Sequence, residues 1–301
     1  MNARHSSRDK LPIAIILPHA GLEIPPELEG RLAINEDHIF NEADVYTDLI
    51  FDFRDRVQHW VRFPYARALI DVNRPDDPSL LRRVGDGVIK DVTSYGQAVF
   101  KPGMHPDLAE ERALVHRYWH PWHEQLAAIA RDPSIRLVID AHSMAARGPK
   151  KYDPQEKIRP RGCVSNLGDS RGYLRNGYAR TTLSAEHLQF FGQEMGQRLG
   201  HIPTLCEVEE PGPVLLNDPY WGGWDLTAHG MESQQPWAMV EVSRAMYVGR
   251  QDENTPAQPP NMEQIEALRE AIWEAIEALY WRLEEAAAGD KTSRAARAGR
   301  S

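Results

Sequence analysis

The strongest constraint in this chain is a set of short apolar runs, each carrying or followed by residues able to do chemistry, with helix-patterned segments between them. Residues 13–17, 68–72, 137–139 and 238–242 are continuous apolar stretches bounded by polar or turn-forming residues, as expected of strands buried on both faces. Helical periodicity is expected over 43–59, over 107–120, over 185–199 after Ser184 and over 262–287 after Asn261. In the last of these, Ile265, Leu268, Ile272, Ile276, Leu279 and Leu283 recur at spacings of three and four. Strands alternating with helices imply an α/β fold with a mostly parallel or mixed central sheet flanked by helices. A chain of 301 residues suits one such domain. We expect it over 11–287, with a flexible N-terminus at 1–10, a linker at 249–260 and a disordered tail at 288–301 whose residues are small, polar and basic.

Composition removes several function classes. Lys and Arg number 35 against 44 Asp and Glu, a net charge of −9, which argues against an electrostatic grip on nucleic acid or on anionic membrane. The two cysteines, Cys163 and Cys206, show no CxxC spacing, so neither a disulfide framework nor a thiolate zinc site is suggested. A reducing, cytoplasmic setting is expected, because the apolar stretch at 11–17 is too short to span a membrane and lacks a signal-peptide pattern. No repeat, GxGxxG, Walker loop or GxSxG elbow is present.

In open α/β sheets ligands lie beyond the carboxyl ends of the strands. There the first run ends in PHAG (18–21), the second carries DVNRP (71–75) and the third continues as DAHS (140–143). The fourth run holds Glu241 within it, a costly placement for a carboxylate without a partner or ligand. Any one such histidine is more often a hydrogen-bonded structural residue, but two at strand ends favour a shared role. His19 and His142 with one carboxylate would form a zinc site of nitrogen and oxygen ligands with a position open to water. Spacing leaves the third ligand open among Glu23, Asp44 and Asp48. A rival cluster, His116, His120 and His123, begins with the i, i+4 spacing of a helical metal site. Pro121 is expected to break that helix, and the interleaved Tyr118, Trp119 and Trp122 favour an aromatic helix end whose histidines hydrogen-bond or touch substrate. Arg74 beside Asn73 is a fork suited to a carboxylate, or else a surface arginine paired with Asp76 or Asp77. Gly222 and Gly223, between aromatics, would let the backbone approach a small ligand. The aperiodic segment 148–178 reads as a functional or disordered loop.

Taken together these motifs resemble the N-formylglutamate amidohydrolase family. The resemblance spans 11–250 and rests on PHAGLEIP (18–25), DVYTD (44–48), RALIDVNRP (67–75), ERALVHRYWHPWH (111–123), IDAHS (139–143), NDPYWGGWDLTAHG (217–230) and VEVSR (240–244), in the family's order. Arg159-Pro160 and Asn166-Leu167-Gly168 also resemble the family's RPD and LG elements, with Arg161 where an Asp is usual. The resemblance implies the mononuclear zinc-hydrolase fold shared with zinc carboxypeptidases and aspartoacylases. It implies one Zn2+ on His19, Asp44 and His142, Glu241 as general base, and Asn73 with Arg74 on the α-carboxylate. The substrate implied is a small anionic N-acyl amino acid such as N-formyl-L-glutamate, hydrolysed at its amide bond. Donors to the oxyanion would be His229 or Arg67, and readers of a distal carboxylate His123 and Arg244. Competing expectations are a carboxypeptidase-like or N-acetyl-amino-acid hydrolase, and a non-catalytic dicarboxylate binder. Against the binder stand Glu241 and both histidines, which binding alone does not require.

Overall fold

Alternate residues of the central strands enter two different hydrophobic cores: Ile13, Ile15 and Leu17 join one, Ala14 and Ile16 the other. Such two-sided burial explains why the strands read as unbroken apolar runs. The computed structural model describes residues 10–77, 86–149, 151, 153–205, 211–249, 251–252 and 254–298, without the side chains of 290–298. Its sheet has six strands: β1 (Leu11–Leu17), β2 (Val57–Arg62), β3 (Leu137–Met144), β4 (Gly162–Ser165), β5 (Leu215–Leu216) and β6 (Trp237–Ser243). They lie in the order β2-β1-β3-β6-β4-β5. The β2-β1-β3-β6 portion is parallel, β4 runs antiparallel to β6, and β5 is parallel to β4. The sheet is therefore mixed, and helices flank it.

Helices α1 (Glu36–Glu42) and α2 (Thr47–Ile50) follow β1, and α3 (Leu108–Leu114) and α4 (His120–Arg131) precede β3. Helix α5 (Ala185–Leu199) follows β4, and α6 (Met262–Ala298) closes the chain. One core packs the sheet against Phe191 and Met195 of α5 and Ile265, Leu268, Ile272, Ile276 and Leu279 of α6. The second packs the other face against Leu114, Tyr118, Trp122, Leu126 and Ile129. Both of these helices are capped: Ser184 Oγ accepts from the His187 amide at 3.3 Å and Asn261 Oδ1 from the Gln264 amide at 3.3 Å, satisfying amides that a helix leaves orphaned.

Four expectations are corrected. Residues 68–72 are not a strand: the Leu69 and Ile70 amides both donate to Ala66 O in a tight turn, and Ile70 makes only an isolated bridge to Ile89. Their apolarity reflects burial in the second core. The span 43–59 holds the single-turn α2 and the start of β2 in place of one helix. Pro121 does not end the helix of 107–120, because a π-helical turn at Val115–Trp119 precedes it and α4 continues through His123. A proline lacks a donor, and a helix's first turn needs none. The last helix continues to Ala298, through residues whose composition suggested disorder. Residues 1–9, Cys206 and 299–301 lie outside the described residues. No helix among those described is long and apolar enough to cross a membrane.

Candidate active site

Strands β3 and β6 set the floor of the site. Their register pairs His142 with Glu241 and Asp140 with Met239, and paired residues on parallel strands project to the same face. His19 follows β1 directly. Asp44 is fixed beside it because its amide donates to His19 O at 3.0 Å, while Thr47 Oγ1 donates back to Asp44 O at 2.6 Å. The result is a buried group of His19, Asp44 and His142 whose ligand atoms all lie within 4.8 Å of one another. Among the described residues it is the one histidine–carboxylate group close enough to hold a metal ion.

The other candidates for third ligand are elsewhere. Asp48 pairs with Arg62 at 3.1 Å, and Glu23 is exposed beside Tyr65. His116 and His120 line a separate cavity of about 230 Å3 with Asp76, Asp77 and Glu111. His123 turns away from them.

Each histidine of the group has a carboxylate behind it. His19 Nε2 lies 2.7 Å from Asp71 Oδ1, and His142 Nε2 lies 2.9 Å from Asp140 Oδ1. The remaining nitrogens face Asp44 Oδ2, His142 Nδ1 at 3.0 Å and His19 Nδ1 at 3.6 Å. This carboxylate–histidine arrangement fixes tautomer and ring orientation at metal centres. His19 Nδ1 is buried without a hydrogen-bond partner, a cost that a cation on its lone pair would remove. Two imidazole nitrogens and one carboxylate oxygen suit zinc or a similar divalent transition ion. Burial alone would raise the pKa of Asp71, but Arg74, Arg67, His19 and Lys90 hold it well below the carboxylate range. It stays an anion, able to orient His19.

A cavity of about 350 Å3 opens over this group, lined by Glu241, Arg67, Asn73, Arg74, Gly222, Gly223 and Arg244 among others. Glu241 is 7% exposed, and its Oε2 has no partner. Burial pushes its pKa up to about 7, Asp44 adding to the rise while His142, Arg159 and Arg67 oppose it. Arg67 donates to Asp71 at 3.0 Å and stands 3.7 Å from Asp44. Arg74 donates to Asp86 at 3.0 Å and to Asn73 O at 2.9 Å. Asn73 accepts from the Asp225 amide at 2.9 Å. A Cβ on Gly223 would come within 2.3 Å of Asn73 Nδ2, so only glycine lets this backbone lie against the asparagine.

His123 and His229 do not line the cavity. They pair with each other, Nδ1 to Nε2 at 2.8 Å, with His123 Nε2 at 2.9 Å from Val72 O. The carbonyl only accepts, so His123 Nε2 carries the proton, its Nδ1 accepts, and His229 Nε2 donates. Burial is the main cause holding both rings to a pKa of about 4. The sequence reading expected both in contact with substrate. It missed Asp140 as a partner of His142 and Tyr95 and Arg159 as cavity residues; Asp140 carried a signal in lying two residues before His142 on the same strand face, and Arg159 only in the resemblance of Arg159-Pro160 to a family element.

Comparison with known proteins agrees with these motifs. The profile of the N-formylglutamate amidohydrolase family matches residues 11–248. The chain belongs to that family. An N-formylglutamate deformylase of Pseudomonas aeruginosa is 25% identical over 279 residues, covering 90% of this chain and 94% of that protein. One of Pseudomonas putida is 29% identical over 150 residues, 48% of this chain and 56% of that protein. Among solved structures, the N-formylglutamate amidohydrolase of Ralstonia eutropha superposes with a TM-score of 0.67 at 17% identity, covering 92% of this chain and 96% of that one. That likeness establishes a shared fold. Within the N-formylglutamate amidohydrolase fold, the group of His19, Asp44 and His142 sits where the central parallel strands end.

Proposed function

We propose that this chain hydrolyses the amide bond of N-formyl-L-glutamate or a closely related N-acyl amino acid, releasing formate and the free amino acid with the help of one divalent metal ion, zinc by preference. The observation that carries the reading is a buried carboxylate with an unpartnered oxygen, Glu241, set beside a buried His-Asp-His group at the base of a cavity. His19, Asp44 and His142 would hold the ion, which when bound lowers the pKa of water to about 7 and polarises an acyl oxygen.

The chain's own residues supply the rest. Glu241 Oε2 takes a proton from the attacking water as the C–O bond forms, then returns it to the leaving nitrogen as the C–N bond breaks. Its burial and the unpartnered Oε2 leave this carboxylate free for both halves of that task. Arg67 is the donor for oxyanion charge, since it lines the cavity, whereas His229 Nε2 is committed to His123. Asn73 and Arg74, with the close backbone of Gly222 and Gly223, hold the α-carboxylate and fix the acyl group over the site. Arg244 is available for a second carboxylate. A small anionic substrate also fits a cavity lined by arginines in a chain of net charge −9, where a local cationic field must overcome the global one.

The test is metal content of the purified protein together with formate release from N-formyl-L-glutamate before and after chelation. About one zinc per chain, chelator-sensitive release and its loss in Glu241→Gln are the expected results. Release that survives complete metal removal, or an active Glu241→Gln, would refute the mechanism.

A further inference from the structure

Four arginines line the cavity, but only two of them already have carboxylate partners. Arg67 is held by Asp71 at 3.0 Å, and Arg74 by Asp86 at 3.0 Å with Asp71 at 3.8 Å. Arg159 and Arg244 pair with no carboxylate among the described residues. Arg244 is 5% exposed; its Nη1 donates to Asn41 O at 3.0 Å and Ala43 O at 2.8 Å, while its buried Nε has no partner. Arg159 lies over the Tyr220 ring, 5.0 Å from its centre, and its amide is tied to Ala146 O at 2.9 Å. Its neighbour Arg161, the departure from the family's motif, instead donates to Leu199 O and Ile202 O near the C-terminus of α5.

A third donor faces these two cations. The Tyr95 hydroxyl is buried in the cavity lining and has no hydrogen-bond partner. Tyr95, Arg159 and Arg244 line one cavity; burial raises the pKa of the phenol, Arg244 and Arg159 opposing the rise while Glu42 and Asp252 add to it. The turn carrying Tyr95 is pinned: its amide donates to Thr93 Oγ1 at 3.3 Å, and Ser94 donates to Glu42 through its amide at 2.6 Å and its hydroxyl at 3.0 Å. Those bonds engage Glu42, an anion of the cavity lining, on both of its oxygens. What remains is an excess of donors around one corner of the cavity: two guanidinium groups that pair with no carboxylate among the described residues, with Arg244 Nε and the Tyr95 hydroxyl buried and unpartnered.

We propose that Tyr95, Arg159 and Arg244 form a second anion subsite that holds the side-chain carboxylate of the substrate and sets the enzyme's preference for an acidic side chain. The assignment rests on the function proposed above, and it adds Tyr95 and Arg159 as specificity-determining residues. Asn73 and Arg74 then hold the α-carboxylate, and the two carboxylates fix the ends of the substrate across the cavity.

The test compares kcat/KM on N-formyl-L-glutamate, N-formyl-L-glutamine and the α-amide of N-formyl-L-glutamate, in the zinc-loaded full chain and in Arg159→Met and Tyr95→Phe. Loss of a hydrogen bond to a charged group predicts that Arg159→Met lowers the glutamate-over-glutamine preference by roughly tenfold to a hundredfold. Tyr95→Phe, which removes one oxygen and retains the ring, should lower it several-fold. The preference over the α-amide should stay within about twofold in both variants. An unchanged preference for glutamate over glutamine, an equal loss on all three compounds, or a loss confined to the α-amide comparison would overturn the assignment.

If the unaltered protein turns over none of the three, the hydrolase reading fails and the subsite is read by calorimetry with glutarate and its monoamide. Tighter binding of glutarate, weakened at least tenfold by Arg159→Met, would support it. Equal binding of the two probes, or binding indifferent to Arg159, would refute it.

Discussion

Replacing His123 and His229 together by glutamine should flatten the acid side of this protein's stability profile. In the native state each ring is neutral, chiefly because burial removes the water that an imidazolium needs, while the pair satisfies itself as neutral rings, Nδ1 to Nε2 at 2.8 Å, with His123 Nε2 donating to Val72 O. Their pKa values lie at about 4, against about 6.5 in an unfolded chain. Between those values the unfolded state binds more protons than the native state, so the contribution is complete above pH 6.5 and is lost as pH falls toward 4. At pH 5 the linkage amounts to about 2 kcal/mol for one such ring, and so about 2–4 kcal/mol for the interacting pair. Urea unfolding from pH 8 to pH 5, in chelator so that metal release does not contribute, measures it. The double variant is less stable at pH 8, but its stability should fall by about 2–4 kcal/mol less over this range. Parallel curves for the two proteins would refute the neutral-pair argument, whatever the absolute stabilities.

Three further outcomes are expected. Asp71→Asn leaves His19 without its anionic partner and should weaken metal affinity by about 10- to 100-fold, read by competition with a chromophoric chelator; unchanged affinity would count against orientation of His19 by Asp71. Gly223→Ala places a Cβ 2.3 Å from Asn73 Nδ2 and must displace the asparagine, so kcat/KM on N-formyl-L-glutamate should fall about tenfold or more while circular dichroism stays native. Ile272→Ala truncates a fully buried residue where α6 meets the sheet and should cost about 2–5 kcal/mol in urea unfolding with little change in KM.

The parts of the fold that could be read from sequence are those where one physical signal dominates. Residues 13–17 and 238–242 are buried on both faces and read as strands because nothing polar interrupts them except Glu241, the exception that marked the site. The same signal misled at 68–72, since apolarity reports burial and a buried turn satisfies it equally. Strand β2 was hidden because Gln58 and His59 are exposed at the sheet's edge. In β5, two residues are too few for any pattern. Of the site, His19, His142 and Glu241 were legible from their places on strands. Asp44 could be chosen over Asp48 only by resemblance, because both sit on one short segment and the backbone tie from Asp44 to His19 O decides between them. Tyr95 depends on contacts between distant segments, which no local pattern records, and the motif that holds Arg159 gave no sign of its place in the cavity.

Under the function proposed above, the pairing of His142 with Glu241 across β3 and β6 joins catalysis and folding through a single variable. A slip of one residue between these strands would turn His142 or Glu241 to the opposite face, out of the cavity and into the core built on Ala141, Val240 and Val242. Hydrophobic sorting of the two faces therefore also proofreads the chemistry, since an arrangement that misplaces the base or the ligand must also bury a charged or imidazole group among aliphatic side chains. A misregistered chain would be penalised twice, once in stability and once in activity. The proposed hydrolysis would accordingly serve as a reporter of correct strand register in this protein.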